Sequence, residues 1–155
     1  EHQKWYNRGR CDGGKLSEPQ RYLRRAYASL LRLAACSEAI NKGGFYDLQY
    51  INRHHQSEGF DERYHYAFIR HSQKEKLVVV VNFNRSEKYR IHLRIPPDAL
   101  KHSGIPSSRK LKVSELLTGS LETEIYPADL FREGDRFSGL VLDVPPKQAY
   151  ILRFD

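Results

Sequence analysis

The sequence predicts a mainly β protein: an antiparallel β-sandwich of about eight strands with an N-terminal amphipathic helix. Three observations lead to this fold class. Leu77 is followed by four valines, a run typical of a strand buried on both faces. Between Tyr89 and Ile95, apolar and basic residues alternate, as in a strand with one solvated face. Turn-forming residues separate the other short apolar segments, which favours a sandwich.

The overall composition is that of a globular chain. Its 155 residues are 39% hydrophobic and 12% aromatic, enough to build a core in one domain, or one domain with an appendage. No apolar run reaches the roughly 18 residues that a membrane helix needs, so we expect no membrane partner. The sequence contains no methionine. We therefore expect a piece of a longer protein, with a processed N-terminus as the alternative.

The two cysteines, Cys11 and Cys36, carry no recognisable chemistry. Neither has a cysteine or histidine partner at metal-ligand spacing, and two cysteines do not define a disulfide framework. We expect two free thiols, with a disulfide as the alternative.

The net charge of +7 is unevenly distributed. Residues 1–34 contain eight Lys and Arg against three Asp and Glu. Such an excess attracts nucleic acid or an anionic surface. It also suits a segment that once faced an acidic partner domain, which is the interpretation we favour.

Residues 1–42 are predicted to form a loop and helical lead-in. Ser17 and Gln20 have the spacing of a capping box, and Pro19 suits a first helical turn. Apolar residues then recur at helical spacing, at Leu23, Ala26, Tyr27, Leu30, Leu31 and Ala34. This stripe must pack either on the β-domain that follows or on a missing domain, and the sequence leaves both open.

Residues 43–155 are predicted to form the sandwich. Residues 37–40 give one further helical turn, and a short helix is expected near 96–100 because proline suits its start. The predicted strands are 45–50, 64–71, 76–83, 87–95, 111–113, 120–126, 140–144 and 148–154. In the fourth, Lys88, Arg90, His92 and Arg94 are expected to face solvent.

Several of these segments, in this order, resemble the end of a bacterial α-amylase family glycoside hydrolase. The segments are CDGGKLS from Cys11, LRRAYASLLRLAACSEAI from Leu23, GGFYDLQY from Gly43, HYAFIRHSQKEKLVVVVNFNRSEKYRIHLRIPPDAL from His65, ELLTG from Glu115 and VPPKQAYILRF from Val144. In that family, a loop and the last helix of a (β/α)8 barrel lead into a C-terminal β-domain. The resemblance implies that 1–42 ends such a barrel and that 43–155 is the accessory domain.

The resemblance also implies a function. The chain would be the accessory domain of an enzyme acting on α-glucans such as starch, non-catalytic alone, packing on and stabilising its own barrel. The family's catalytic carboxylates lie on barrel strands, and none of its motifs for them matches this sequence. We therefore assign no catalytic residue and expect no cofactor.

Exposed aromatic rings are the best candidates for contact with a glucan, because sugar rings stack on them. Trp5 and Tyr6 lie in an irregular segment, and Tyr46 and Tyr50 are second candidates. A starch- or glycogen-binding module is therefore the first alternative function. A basic nucleic-acid-binding domain, using the ladder at 88–94, is the second and the less favoured, since no aromatics interleave for base stacking.

The remaining polar groupings suit solvent better than chemistry. His54, His55, Asp61, Glu62 and His65 fit no zinc spacing, so we expect a solvated loop and no metal site. Glu122 and Glu124 would share a strand face, and the alternation there indicates that this face meets water.

Overall fold

The computed structural model describes residues 2–155, with side chains from residue 3 onward. The chain forms two compact units, the first extending to Cys36 and the second spanning Ser37–Asp155. Among the described residues, no helix has both the length and the apolar character needed to cross a membrane.

The first unit contains two helices, α1 (His2–Trp5) and α2 (Glu18–Cys36). One half of the predicted capping box is present, since the Ser17 backbone N–H donates to Gln20 Oε1 at 3.0 Å. The predicted amphipathic helix is confirmed by α2. However, no residue of α2 is buried, and Leu31 at the middle of its apolar stripe is 64% exposed.

The second unit is built from eight strands. They are β1 (Gly44–Asp47), β2 (His65–His71), β3 (Lys76–Asn82), β4 (Tyr89–Leu93), β5 (Leu111–Glu115), β6 (Glu122–Ile125), β7 (Leu140–Val144) and β8 (Gln148–Phe154). Its helices are α3 (Glu38–Asn41), α4 (Gln49–Asn52) and α5 (Pro97–Ser103), with a 3₁₀ turn at Pro127–Asp129.

The strands form two antiparallel sheets. The larger has the order β1-β2-β3-β8-β5-β6, and β4 pairs with β7 in the smaller. Between them lies the core, to which β3 contributes Val78 and Val80 and β4 contributes Ile91 and Leu93. The predicted mainly β fold is confirmed.

β3 is buried on both sides, as the valine run predicts. Leu77 to Val80 are four consecutive buried residues, with β2 on one edge and β8 on the other. The strand ends in the expected turn. There the buried Asn82 amide donates to the carbonyls of Glu87, Val144 and Pro145, which ties β3 to the ends of both sheets.

The predicted strand at 45–50 is partly wrong. β1 ends at Asp47, whose Oδ1 accepts the Gln49 N–H at 3.0 Å and so turns the chain into α4. In α4 the buried Asn52 amide donates to the carbonyls of Leu48 and Arg94. The contact with Arg94 is non-local, and alternation along the sequence does not reveal it.

The predicted basic ladder is wrong at its last member. Arg94 is buried, and its guanidinium donates to the carbonyls of Gln56 and Arg132 and lies 4.5 Å from the ring centre of Phe131. The alternation fails because β4 ends at Leu93, one residue earlier. Three members of the ladder remain outside the core.

Candidate functional site

Two of the four predicted glucan-contact residues meet in one cluster. β1 carries Tyr46 and α4 carries Tyr50, and their hydroxyls lie 3.0 Å apart. Both donate to the carboxylate of Asp98 in the first turn of α5, Tyr50 over 3.1 Å. The rings are 6.3 Å apart and inclined by 60°, so they do not form a flat platform for a sugar.

The shared carboxylate determines the electrostatics of this cluster. Burial, the hydrogen bond to Asp98 and the hydrogen bond to Tyr50 raise the pKa of Tyr46 above its ordinary range. The hydrogen bond from Tyr46 lowers the pKa of Asp98, more than burial raises it. At neutral pH the cluster therefore holds one carboxylate and two neutral hydroxyls. Tyr50 remains 39% exposed and is the ring that a ligand could reach.

The other two candidates lie in the first unit. Trp5 is half-buried, with the Arg24 guanidinium 4.2 Å from its ring centre. The Trp5 indole also packs closely on Gly13, where any side chain would overlap the ring. Tyr6 is exposed. The predicted contact of these four residues with a glucan stays a prediction.

Sequence reasoning missed a larger aromatic surface on the outer face of the six-stranded sheet. Phe45 of β1 and Tyr66 and Phe68 of β2 form an aromatic ladder there. The ring centres of Phe45 and Phe68 are 5.5 Å apart, and those of Tyr66 and Phe68 are 5.6 Å apart. Phe45 is 48% exposed and Tyr66 is 38% exposed.

This ladder shows which face of β2 meets the core. Alternation along residues 64–71 places Tyr66 and Phe68 on one face, and the core face carries Ala67 and Ile69. Alternation identifies two faces without saying which one meets the core. The valine run of β3 was the available sequence signal for an apolar outer face. A strand that is apolar on both faces implies apolar neighbours on both faces of its sheet.

The predicted solvent positions are confirmed at Glu122 and Glu124, but the prediction is wrong for His65. His65 begins β2 and is 2% exposed, and its Nδ1 accepts the Asp61 N–H at 2.9 Å. Glu122 and Glu124 are exposed and pair with Lys112 and Lys110 respectively. Asp61 pairs with Arg63 at 2.6 Å, and mainly this hydrogen bond lowers the pKa of Asp61 to about 2. Among the side chains described from residue 3 onward, no three His, Cys, Asp or Glu are grouped to hold a metal ion.

Cys11 and Cys36 are both exposed and free, as expected. The basic ladder, reduced to Lys88, Arg90 and His92, includes one ion pair, from Lys88 to Asp143 at 3.7 Å. No aromatic residue of β4 is exposed on the face that carries these three residues.

The fold defines a β-sandwich of two antiparallel sheets. Residues 59–155 match the profile of the family described as alpha amylase, C-terminal all-beta domain, and the chain belongs to that family. This domain is the non-catalytic part of α-amylase-type proteins and normally accompanies a catalytic barrel in the same chain. No curated protein and no solved structure matches the chain. The resemblance in the sequence is thereby confirmed for the β-domain.

Proposed function

We propose that the chain is the accessory domain of an α-amylase-type glycoside hydrolase acting on α-glucans, and that it packs on and stabilises its barrel. In this proposal, residues 1–42 form the end of that barrel. The observation that carries the proposal is the exposed aromatic ladder of Phe45, Tyr66 and Phe68 on a sheet face that a solvated sandwich would cover with polar residues.

Neighbouring strands extend the apolar part of this surface, which also carries Arg70 opposite Phe45. Val79 and Val81 of β3 and Ile151 of β8 continue the outer face beside Phe68 and Tyr66. The pairing Phe68–Val79–Ile151 runs straight across three strands. Apolar residues on an outer sheet face gain free energy when a second domain covers them, at about 25 cal/mol per Å² removed from water.

Helix α2 supports the same proposal from the first unit. Its apolar stripe is fully formed, yet each of its large members is exposed, Leu31 most of all. Helices of an α/β barrel bury such a stripe against the strands inside the barrel. The stripe is what the last helix of a barrel would present to those strands.

The test uses the complete reading frame that encodes this chain. We expect it to encode a barrel, and the full enzyme to release reducing sugar from amylose while the isolated chain does not. The double variant Phe45→Ser/Tyr66→Ser should lower the thermal midpoint of the full enzyme by several degrees and shorten its half-life on heating. Its initial rate at low temperature should be unchanged.

The control is Tyr126→Ser/Phe137→Ser, which removes two rings from outside the ladder that are more exposed than Phe45 and Tyr66. It should leave the thermal midpoint within about one degree. The proposal fails if the ladder variant and the control behave alike, if no barrel is encoded, or if the isolated chain hydrolyses starch at an enzyme-like rate.

A starch- or glycogen-binding module is the second candidate function, favoured by the exposed ring of Tyr50 beside the Asp98 carboxylate. An aromatic face and a hydrogen-bond acceptor are the two elements that hold a pyranose. Native electrophoresis with embedded amylopectin tests it. Retardation that is lost in Tyr50→Ala or Trp5→Ala would support binding, and unchanged mobility of the unsubstituted chain would exclude it.

A further inference from the structure

Four basic side chains surround a shallow cavity of about 350 Å³ at one edge of the sandwich. They come from three elements: His71 ends β2, Lys76 begins β3, and Lys101 and His102 lie in the last turn of α5. The rest of the wall is Ser72, Gln73, Ser103 and Gly104, so no carboxylate lines the cavity. We call this the basic cavity.

Packing holds the basic groups in place. The rings of His71 and His102 meet edge to face, with centres 5.3 Å apart. The His71 ring lies directly on Gly44, where any side chain would overlap it. The Lys76 stem passes Gly104, and its ammonium donates to the Gln73 carbonyl at 2.7 Å. The cavity therefore needs little rearrangement to receive a ligand.

None of these basic groups is paired with a carboxylate. Among the described residues, none of the four forms an ion pair. Glu75 accepts from the Ser37 hydroxyl and the Ala39 N–H, Asp98 accepts from two tyrosines, and neither lines the cavity. Lys76 and Lys101 therefore carry like charges at one cavity, and an anion between them would reduce their repulsion.

One buried polar atom of the cavity wall lacks a partner. Ser103 is 2% exposed, and its Oγ has no hydrogen-bond partner among the described residues. His71 Nε2 also lacks one, but it faces Gly44 of β1. A buried hydroxyl without a partner is rare where nothing binds. The Ser103 hydroxyl can donate, as an anion site requires.

The end of α5 does not account for this arrangement. Lys101 and His102 suit a helix C-terminus, but α5 has only seven residues and its last carbonyls are capped by the N–H of Gly104. His71 and Lys76 belong to other elements. Helix-end electrostatics gives no reason for their convergence on the same cavity.

We propose that the basic cavity binds a phosphate group, either free or as the monoester of a sugar. Lysine and histidine around a compact site suit the charge and the several acceptor oxygens of phosphate. A sugar is the second source because Tyr46 packs on His102, with ring centres 5.1 Å apart, and Tyr50 adjoins it. This inference does not depend on the function proposed above.

The protonation of His71 provides a direct readout. Burial, and then the positive charges of His102, Arg70 and Lys76, lower the pKa of His71. Gly44 on the remaining side adds no charge, and Lys101 across the cavity adds another positive one. A bound phosphate would offset the positive charges that lower the pKa of His71, so binding should raise this pKa.

The experiment is a titration of the full chain with inorganic phosphate, followed by histidine side-chain NMR at constant ionic strength. We expect saturable shifts at His71 and His102 and a rise in the pKa of His71. Lys76→Gln/Lys101→Gln should weaken binding at least about tenfold, which is about 1.4 kcal/mol. Ser103→Ala, which keeps every charge, should weaken it about threefold.

The control is Lys88→Gln/Lys110→Gln, which loses the same charge just before β4 and just before β5 and should bind within about twofold of the unsubstituted chain. Glucose 6-phosphate separates the sources. Tighter binding than phosphate that is lost in Tyr50→Ala identifies a sugar phosphate, and equal binding identifies phosphate alone. The proposal is overturned if His71 shows no saturation by about 50 mM phosphate, or if both double variants weaken binding equally.

Discussion

Helix α2 and strand β3 are the two clearest apolar patterns in the chain, and they end in opposite environments. β3 buries four consecutive residues between β2 and β8. α2 has 19 residues and buries none. The comparison teaches that periodicity specifies an element and its apolar face, whereas burial depends on a partner that periodicity does not name. The predictions that follow test this difference.

The largest effect is expected from replacing a leucine by alanine, compared between the buried sheet and the exposed helix. Leu93→Ala removes a fully buried side chain of β4 and should lower the free energy of unfolding by about 2–5 kcal/mol, because it leaves a cavity. Leu31→Ala in α2 should cost less than about 0.5 kcal/mol. Urea denaturation measures both. Equal costs would mean that α2 is buried in solution and would break the comparison.

The buried amide of Asn82 should give the next largest effect. Asn82→Ala leaves the carbonyls of Glu87, Val144 and Pro145 without this donor, so we expect a loss of about 2–4 kcal/mol. Thermal unfolding measures the loss, and a value below about 1 kcal/mol for Asn82→Ala would show that water replaces the amide.

The stability of the sandwich should depend on pH. Glu115 accepts from the backbone N–H groups of Leu117, Thr118 and Gly119. Burial by itself raises the pKa of Glu115. The hydrogen bonds, including the one from the Thr118 hydroxyl, lower it by more than burial raises it, so the pKa is lowered overall. The stabilisation is therefore present above the unfolded pKa of about 4.3 and is lost as pH falls through the folded value.

Glu115→Gln checks this assignment. The variant should be about 1–2 kcal/mol less stable at pH 7, and its stability should depend less on pH below about pH 4.3. Chemical denaturation at several pH values gives both quantities. An acid dependence identical to that of the unsubstituted chain would assign the effect to other carboxylates.

The smallest effect should come from the helix cap. Gln20→Ala removes the acceptor of the Ser17 N–H and should reduce the helicity of α2, at a cost of about 0.5 kcal/mol. Circular dichroism of residues 1–42 and of the full chain measures it. If the loss is several times larger in the full chain, α2 has a packing partner and the comparison must be revised.

Particular residues show how far the sequence leads. The strand from Leu140 to Val144 and the cap at Ser17 follow from local chemistry, since alternation and capping act within a few residues. The burial of Arg94 does not, because its acceptors are carbonyls of distant loops. The basic cavity was missed for the same reason: strand pairing and α5 bring together His71 and His102, which are far apart in the sequence.

The position of β8 has a consequence for biosynthesis. Residues 148–154 lie in the middle of the larger sheet, between β3 and β5. While these residues are untranslated, the sheet can exist only as two separate pieces, β1-β2-β3 and β5-β6. A stop codon before Gln148 would leave the apolar edges of both pieces unpaired, exposing aggregation-prone strands. Correct folding of this domain therefore depends on residues 148–154, which join the two pieces of the larger sheet.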